Sequence, residues 1–465
     1  MHYSSLIDVA KQIEAMEVSP VDLTKMTLDR IASLDPHLRS YATVMTQQAL
    51  AAARTAEQEI RSGTYRGPLH GIPIAVKDLC YTRGIRTMGG LGVLADFVPD
   101  HDATVIAKLA EAGAIILGKL NLTEGAMAGY HPDFGLPINP WGAQLWAGAS
   151  SSGSGVATAA GLCFASLGSD TGGSIRFPAM ANGVVGLKPT YGRVSRYGVL
   201  PLAESLDHVG PLARRVADAA VVFEAIAGFD PNDPTSLADP VPNMLKELDR
   251  GLKGAQIGFD RDYATKGVDP GLVASIGIAL GVLEELGAEI VDVNIPEFGE
   301  THVNSWFEIC AYEACRAHAA NYPARADDYG PYFRDFLGFG SEVSDEAYSQ
   351  ASQLRAEFNA QFIAVLSAVD AVACPGGGVP FPVSAEIQYG DMANFDPTMQ
   401  NIQMQHTVPA DFAGTPTISL PCGTNEDGIP YTFQFLGAHL TESRLCQIAH
   451  AYEEATEWHA RCPPV

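Results

Sequence analysis

Two short segments rich in glycine and serine hold the hydroxyl groups that are best placed in this sequence to act as nucleophiles. The first is Gly-Ala-Ser-Ser-Ser-Gly-Ser-Gly at 148–155, and the second is Gly-Ser-Asp-Thr-Gly-Gly-Ser-Ile-Arg at 168–176. Glycines allow backbone N–H groups to turn toward a common point, and the start of a helix adds partial positive charge. Such a place stabilises an anion, including one that exists only in a transition state. Taken alone, the first segment is more typical of a flexible linker or a tight turn.

Other motifs built from glycine and serine do not match. The sequence has no Gly-x-x-x-x-Gly-Lys-Ser/Thr phosphate loop, and Gly153-x-Gly155 lacks the third glycine of a dinucleotide-binding fingerprint. The nearest approach to the Gly-x-Ser-x-Gly elbow of α/β-hydrolases, at 149–153, begins with alanine. The two segments therefore indicate neither nucleotide binding nor an α/β-hydrolase elbow.

A lysine upstream of both segments lies at the end of an apolar run. Residues 72–76 (Ile-Pro-Ile-Ala-Val) indicate a buried strand, and Lys77 follows directly. Burial favours the neutral amine, and a fall in its pKa from about 10.4 to near 7 or 8 corresponds to roughly 3 to 5 kcal/mol. A neutral amine at that position is a usable general base. On this segment alone, an ordinary ion pair with Asp78 at the surface is the more common arrangement.

In combination, these residues resemble the amidase signature family. The lysine in Gly-Ile-Pro-Ile-Ala-Val-Lys-Asp, the serine-rich loop, and Gly-Ser-Asp-Thr-Gly-Gly-Ser-Ile-Arg-Phe-Pro-Ala occur in the order typical of the family. Ser150 follows Lys77 by 73 residues, and Ser174 follows Ser150 by 24 residues. Together the motifs are highly specific. Further matching segments lie at 186–193, 205–211 and 414–423.

The resemblance implies a mechanism that uses no histidine, metal or organic cofactor. It assigns Ser174 as the nucleophile, Ser150 as a bridging serine on a cis peptide bond, and Lys77 as the base. A serine hydroxyl attacks well only after a base takes its proton. A bridging hydroxyl can pass that proton to a neutral lysine and later return it to the leaving amine. The 12 histidines form no obvious Ser-His-Asp pattern, which agrees with this mechanism.

The same resemblance assigns roles to the loop around the nucleophile. Its glycines let the backbone approach the substrate closely, as an oxyanion hole requires. The N–H groups expected to form that hole belong to Thr171, Gly172, Gly173 and Ser174. Asp170 and Arg176 are expected to be a supporting pair that fixes the shape of the loop.

The serine-rich loop departs from the family pattern. Ala149 and Ser152 stand where the usual Gly-Gly-Ser-Ser-Gly-Gly loop has glycine. Whether Ser151 or Ser152 replaces Ser150 as the bridging residue is therefore open, although the spacing favours Ser150.

Two more departures concern the substrate pocket. Gly125 stands where a larger residue is common, and 376–378 (Gly-Gly-Gly) stands where a Pro-Thr-rich turn is common. Both suggest a roomier or more mobile acyl pocket, and the alternative is loop variation without effect on the substrate. The residues that set specificity are expected near 125–131, 305–340 and 375–410.

The elements that position these residues alternate between strand and helix after residue 71. Apolar periodicity first predicts an all-helical N-terminal layer from Leu6 to about Arg61. The alternation that follows indicates an α/β fold, with three α/β/α layers and a large mixed central sheet. Strands are predicted near 72–76, 114–117, 163–167, 255–259, 289–293, 371–374, 417–420 and 432–436, and helices over 104–112, from 156, over 272–286 and from 443.

The whole chain, 1–465, is predicted to be one domain. It comprises the helical layer at 1–65, a catalytic core at 66–220, and the rest of the sheet with the substrate-pocket region at 221–465. The stretch 230–242, rich in Pro and Asp, is the best candidate for a boundary. Strand signals resume directly after it, so a surface connection within one domain is the better interpretation.

The composition disfavours several classes of partner. The 54 acidic residues outnumber the 29 basic ones, and a net charge of −25 repels nucleic acid and anionic lipid. The eight cysteines show no zinc-site spacing and indicate the reduced thiols of a cytoplasmic protein. The N-terminus does not have the pattern of a signal peptide. The uncharged stretch 145–169 is too rich in Ser, Gly and Thr to be a membrane helix.

The sequence therefore predicts an enzyme that hydrolyses a small-molecule carboxylic amide, or a carbamate, through an acyl-enzyme on Ser174. The alternative is the glutaminase subunit of a tRNA-dependent amidotransferase, which shares the same three catalytic residues. A binding protein that has lost catalysis ranks last, because all three residues are present. The resemblance also implies a homodimer, which the composition does not test.

Overall fold

An eleven-stranded sheet forms the centre of the molecule. The computed structural model describes residues 1–465, apart from the side chains of residues 396, 397 and 399. The strands are β1 (Tyr41–Val44), β2 (Pro73–Lys77), β3 (Ile115–Leu120), β4 (Ala165–Asp170), β5 (Val185–Lys188), β6 (His208–Ala213), β7 (Gln256–Phe259), β8 (Glu289–Asp292), β9 (Ala371–Pro375), β10 (Thr417–Thr424) and β11 (Pro430–Leu436). Their order across the sheet is β1-β3-β2-β4-β6-β5-β10-β11-β9-β7-β8.

Helices cover the sheet. Strands β2, β4, β5 and β6 are buried at every position, which requires cover on both faces at the centre of the sheet. The predicted α/β fold is confirmed. The helices are α1 (Leu6–Glu14), α2 (Pro20–Leu38), α3 (Thr46–Arg61), α4 (Thr104–Glu111), α5 (Ser152–Ala159), α6 (Arg176–Asn182), α7 (Val216–Ile226), α8 (Met244–Leu248), α9 (Arg261–Thr265), α10 (Pro270–Glu285), α11 (Glu300–Ala317), α12 (Pro331–Glu342), α13 (Asp345–Leu366), α14 (Ala385–Gln388), α15 (Met392–Met399), α16 (Val408–Phe412) and α17 (Glu442–Glu454).

The sheet is mixed, as predicted. Strand β2 runs parallel to both β3 and β4, and β7 runs parallel to both β8 and β9. The remaining neighbours are antiparallel, including β5 with β10, where Gly186 lies opposite Ser419. That pairing joins the strands of 66–220 to those of 221–465 in one sheet.

Three strands were not predicted. The N-terminal layer is not all helical, because β1 interrupts it and pairs antiparallel with β3 at the edge of the sheet. Strands β5 and β6 contain glycine, lysine, histidine and proline, which weaken the strand signal in a sequence. Their pairing with each other and with β4 and β10 makes them strands.

The candidate domain boundary at 230–242 and the uncharged stretch 145–169 are both parts of the fold. Residues 228–243 contain no helix or strand and run as a connection. The Asp230 carboxylate in this connection accepts hydrogen bonds from the hydroxyls of Thr104 and Ser195. Residues 145–169 form α5, most of β4 and loops. None of the described helices is long and apolar enough to cross a membrane.

Candidate active site

The two parallel strands β2 and β4 bring the predicted lysine and the second glycine-rich loop to the same edge of the sheet. Lys77 is the last residue of β2, and Asp170 is the last residue of β4. Helix α5 begins at Ser152, inside the first glycine-rich segment. Ligands of α/β proteins bind outside the carboxyl ends of parallel strands, so this edge is the natural place for a site.

Lys77 is buried among hydroxyl groups. Its Nζ lies 2.6 Å from Ser150 Oγ, 2.9 Å from Ser151 Oγ and 2.8 Å from Ser169 Oγ. Burial lowers the pKa of Lys77 to about 7, and the opposing effect of Asp170 does not restore it. A neutral amine has two N–H bonds and one lone pair, so one of the three hydroxyls can donate to nitrogen. The side chain is therefore equipped to act as a base.

The alternative interpretation, in which Lys77 forms an ion pair with Asp78 at the surface, is wrong. Asp78 forms its ion pair with Lys119, whose Nζ lies 3.4 Å from Asp78 Oδ1. Lys119 Nζ also donates to the carbonyl oxygen of Cys80 and to Thr87 Oγ1. Lys77 itself is fully buried and does not extend to the surface.

Ser150 and Ser174 lie on adjoining loops. The Ala149–Ser150 peptide bond is cis, and the N–H of Ser151 donates to the carbonyl oxygen of Ser174 at 3.3 Å. Ser150 is fully buried, whereas Ser174 is partly exposed. Among the hydrogen bonds of the described residues, none joins the Ser174 hydroxyl to Ser150. Catalytic hydrogen bonds are often long before substrate binds, so the relay from Ser174 stays a prediction.

The other two serines of the loop have different partners. Ser151 Oγ accepts from the N–H of Ser169 and donates to the carbonyl oxygen of the same residue. Ser152 Oγ accepts a hydrogen bond from the Tyr130 hydroxyl at 2.8 Å, and no bond links it to Lys77 in the described structure. Of the three hydroxyls, that of Ser150 makes the shortest contact with Lys77 and has no other described partner.

Asp170 and Arg176 form the expected pair. Both are fully buried, and the guanidinium donates to both carboxylate oxygens at 2.9 and 3.0 Å. Burial alone would raise the pKa of Asp170, but the Arg176 charge and its hydrogen bonds hold that pKa well below its usual range. Arg176 also donates to Asp411 and to the carbonyl oxygen of Thr407, which no motif indicated.

One member of the predicted oxyanion hole needs correction. The N–H of Gly173 donates to Asp170 Oδ1 at 2.6 Å, so it is occupied by the carboxylate three residues earlier. Its role is to shape the loop, where its φ of 135° suits glycine. No comparable bond occupies the N–H groups of Thr171, Gly172 or Ser174 among the described residues. These three N–H groups remain the candidates for the hole.

An apolar pocket opens onto the partly exposed serine. None of its described lining residues carries a charge. Trp306 donates from its indole to the carbonyl oxygen of Thr171 and lies so close to Gly172 that a Cβ there would come within 2.4 Å of its ring. The lining residues are Ala126, Met127, Ala128, Trp146, Ala149, Thr171, Gly172, Ser174, Phe177, Leu202, Trp306, Phe395, Ile402 and Met404. All three segments expected to set specificity contribute to this lining.

The unusual glycines do not leave empty space beside this pocket. A Cβ at Gly125 would meet the ring of Phe333 at 2.3 Å, so α12 fills the volume that a larger residue would occupy. A Cβ at Gly377 would meet Phe177 at 2.7 Å. The expectation of a roomier pocket is wrong at Gly125, because the ring of Phe333 from α12 occupies the space that a larger side chain at position 125 would fill.

A possible metal-ligand group lies on a different element. Among the described residues, His450, Glu453 and Glu454 on α17 bring three ligand atoms together. The Glu453 carboxylate there already accepts two hydrogen bonds from the N–H of Val216. This group includes none of the serines or lysines at the carboxyl edge of β2 and β4.

The profile of the family described as Amidase matches residues 22–446. The chain belongs to the amidase family. Putative amidase AmiD of Mycobacterium tuberculosis is 44% identical over 460 residues, covering 99% of this chain and 96% of the relative. A glutamyl-tRNA(Gln) amidotransferase subunit of Geobacter metallireducens is 38% identical, covering 97% and 96%. The native peptide amidase of Stenotrophomonas maltophilia matches with a TM-score of 0.86 and 33% identity, covering 99% and 98%.

Family membership and these relatives make this amidase an enzyme that hydrolyses an amide C–N bond. The motifs of the amidase did not indicate Asp411, because it approaches the loop from a distant segment, and for Trp306 they indicated only the segment 305–340 that contains it. They also did not indicate the contacts of Ser151 and Ser169 with Lys77, although Ser169 stands in the same glycine-rich segment as the predicted nucleophile.

Proposed function

We propose that the amidase hydrolyses small-molecule carboxylic amides with an apolar acyl group, through an acyl-enzyme on Ser174. The observation that carries this proposal is the buried Lys77, whose Nζ lies 2.6 Å from Ser150 Oγ and whose pKa is lowered to about 7. A lysine in that state accepts a proton at neutral pH, which a solvated lysine cannot do.

In the acylation step, Ser174 Oγ forms a bond to the amide carbon while its proton passes through Ser150 to Lys77. The oxyanion that develops faces the N–H groups of Thr171, Gly172 and Ser174. Breaking the C–N bond releases the amine, which takes the proton back from Lys77 through Ser150. Water then attacks the ester by the same route, and the carboxylic acid leaves.

The acyl group is inferred from the lining of the pocket. Trp306, Phe177 and Ile402 offer apolar surface, and no described lining side chain can pair with a charged group. Burying an unpaired charge there would cost several kcal/mol, so apolar acyl groups are favoured. A carbamate with an apolar substituent would satisfy the same lining.

The glutaminase function is the second candidate, because the 38% identical relative carries the name of an amidotransferase subunit. Glutamine brings an ammonium and a carboxylate, which the uncharged lining does not match. The purified chain on its own should therefore turn over a hydrophobic amide faster than glutamine. Faster turnover of glutamine, increased further by a partner subunit, would favour the second candidate.

The remaining expectations are supported to different degrees. All eight cysteines are unpaired in the described structure, which supports a reducing compartment such as the cytoplasm. One sheet takes strands from 66–220 and from 221–465, which supports a single domain. Independence from nucleic acid is supported by the net charge of −25. The homodimer stays a prediction.

The proposed function is tested by trapping the acyl-enzyme. A fluorophosphonate should add one covalent group to the wild-type chain, detected by intact mass spectrometry and located at Ser174 by peptide mapping. Ser174→Ala should lose both the label and turnover of a panel of amides, anilides and carbamates, because no nucleophile remains. Substantial turnover by folded Ser174→Ala would show that the nucleophile is assigned to the wrong residue.

A further inference from the structure

Three consecutive carbonyl oxygens in the loop that presents the nucleophile, at 170–172, each contact a side-chain donor from another segment. The contacts join His208 Nδ1 to Asp170 at 3.2 Å, the Trp306 indole to Thr171 at 2.9 Å, and the Thr407 hydroxyl to Gly172 at 2.7 Å. The donors lie 38, 135 and 235 residues from their acceptors. The peptide groups of this loop are therefore held from outside the loop.

A bond to a carbonyl oxygen also sets the direction of the N–H group in the same peptide. The cis peptide bonds of the described chain lie at 149–150 and 322–323, so the peptides of the loop are trans. Across a planar trans peptide, the C=O and N–H bonds point in opposite directions. Trp306 holds the carbonyl of Thr171 and thereby directs the N–H of Gly172 away from the donating indole nitrogen.

The next peptide of the loop shows the same arrangement with its N–H occupied. Thr407 holds the carbonyl of Gly172, and the N–H of Gly173 on the opposite side donates to Asp170 Oδ1 at 2.6 Å. The peptide between Thr171 and Gly172 also has a bond at its carbonyl, but no bond uses its N–H among the described residues. That N–H is therefore available to an oxyanion, whereas the N–H of Gly173 is not.

The indole of Trp306 packs directly against this peptide. A Cβ at Gly172 would come within 2.4 Å of the ring, and Gly172 has no left-handed φ. Glycine at 172 therefore serves the close approach of the ring and not a special backbone conformation. The same buried ring, carried by α11, lines the apolar pocket together with Ser174. It contacts both the loop and the pocket.

We propose that Trp306 is a positioning residue for the oxyanion hole. Its indole N–H fixes the peptide between Thr171 and Gly172, so that the Gly172 N–H stays directed at the developing oxyanion. The inference rests on the proposed function, because the hole acts on the oxyanion of that reaction. It assigns Trp306 a role beyond the packing that any apolar ring in the pocket would provide.

Two inhibitors with the same phenethyl group separate the hole from the pocket. Ser174 Oγ adds to the carbonyl carbon of a phenethyl trifluoromethyl ketone, and the C=O π electrons become the oxyanion in the hole while the serine proton passes through Ser150 to Lys77. The corresponding trifluoromethyl carbinol keeps the apolar group and cannot be attacked. The ratio of the carbinol Ki to the ketone Ki therefore measures stabilisation of the oxyanion adduct. The measurements are made at about pH 8.5, where a histidine side chain is neutral.

Trp306→Phe and Trp306→His keep opposite features of the indole. Phenylalanine keeps an apolar ring without a donor, whereas histidine places its Nε2–H where the indole N–H was and has less apolar surface. In Trp306→Phe, the inhibitor ratio and kcat for hydrocinnamamide should fall about ten- to hundredfold, less than the roughly 10²- to 10³-fold loss on removing an oxyanion donor outright. Trp306→His should recover about threefold or more of that loss.

Two further variants are matched controls. Trp141→Phe removes an indole that donates to the carbonyl oxygen of Asn182 at 2.8 Å, outside the pocket lining, and should leave the ratio unchanged. Thr407→Val removes the bond to the Gly172 carbonyl, whose peptide has its N–H held by Asp170. It should lower the ratio by about threefold or less. Thermal unfolding shows which variants are folded, and Trp306→Met takes the place of Trp306→Phe if the latter is not.

The order of the Trp306 variants distinguishes positioning from packing. A lower ratio in Trp306→His than in Trp306→Phe would overturn the inference, because the ring would then act through its apolar surface. An equal loss of affinity for ketone and carbinol in Trp306→Phe would overturn it too, while the proposed function stands. If the wild type binds the ketone no more tightly than the carbinol and hydrolyses no amide, the proposed function fails, and the inference fails with it.

Discussion

Two buried lysines on neighbouring parallel strands differ in what surrounds them. Lys119 on β3 faces the Asp78 carboxylate, a carbonyl oxygen and a hydroxyl. Lys77 on β2 faces three serine hydroxyls and no carboxylate within ion-pair distance in the described structure. Burial lowers the pKa of both. At Lys119 the ion-paired Asp78 opposes the shift, whereas at Lys77 the opposing carboxylate of Asp170 forms no ion pair with the amine in the described structure. Burial makes a lysine a candidate base, and the absence of a paired carboxylate makes it usable.

The largest effect in this comparison is expected from Lys77. Lys77→Ala should reduce kcat/KM on the order of 10³-fold or more, because no base remains for the relay. Lys77→Arg should recover nothing, since a guanidinium stays charged and cannot accept a proton. Thermal unfolding of both variants shows whether they are folded. Substantial activity in the arginine variant would mean that position 77 supplies only charge or packing.

The loss of rate on replacing each of the three loop serines by alanine should follow the contact that its hydroxyl makes with Lys77. Ser150→Ala should lose roughly 10²- to 10⁴-fold in rate, because it breaks the proposed path between nucleophile and base. Ser151→Ala should lose less, on the order of tenfold, as one neutral hydrogen bond to Lys77 disappears. Ser152→Ala removes only the bond from Tyr130 and should lose least. A series in which Ser152→Ala is the worst variant would contradict this relay.

The pH dependence should follow Lys77 and not Lys119. The Lys77 pKa is lowered to about 7, so the lysine is neutral above that pH and becomes protonated below it. The rate should therefore fall about tenfold per pH unit on the acid side, with an apparent pKa near 7. Lys119→Met should leave this limb in place. An acid limb near pH 4 to 5 would instead indicate a carboxylate as the base.

The smallest effect on turnover is expected from Lys119, whose loss should appear in stability. Lys119→Met leaves the Asp78 carboxylate buried without its cation, which should lower the free energy of unfolding by about 3 to 5 kcal/mol. Activity per folded molecule should stay within a few fold. Combining it with Asp78→Asn should restore part of the stability, measured by denaturant unfolding. Equal loss of activity from Lys77→Ala and Lys119→Met would contradict the conclusion that only Lys77 acts in catalysis.

Features specified by local sequence were predictable. The apolar run predicts the buried strand before Lys77, and the resemblance to the amidase signature family implies that the two glycine-rich loops lie close to that lysine. The pair of Asp170 and Arg176 follows from their places on either side of one loop. The hydrogen bond from the Gly173 N–H to Asp170 could also have been predicted, because an aspartate side chain often accepts from backbone N–H groups two or three residues ahead.

Other features depend on distant segments and leave little local signal. Trp306 reaches Thr171 across 135 residues, and Asp411 reaches Arg176 across 235. The ring of Phe333 fills the space beside Gly125, which no pattern around either residue foretells. Strand β1 is four residues long and lies between two helices, so the helical periodicity of its surroundings hides it.

The bond between Arg176 and Asp411 has a consequence for how the enzyme is made. Lys77, Ser150 and Ser174 leave the ribosome early, but Asp411 is added 235 residues after Arg176. Until then the loop that presents Ser174 lacks Asp411 and the carbonyl of Thr407 as its partners. Synthesis proceeds from the N-terminus at about 5 to 20 residues per second, which separates the addition of Arg176 from that of Asp411 by roughly 12 to 47 seconds. A nascent chain therefore holds Lys77, Ser150 and Ser174 before it holds Asp411 and Thr407, which bond Arg176 beside the loop that presents Ser174.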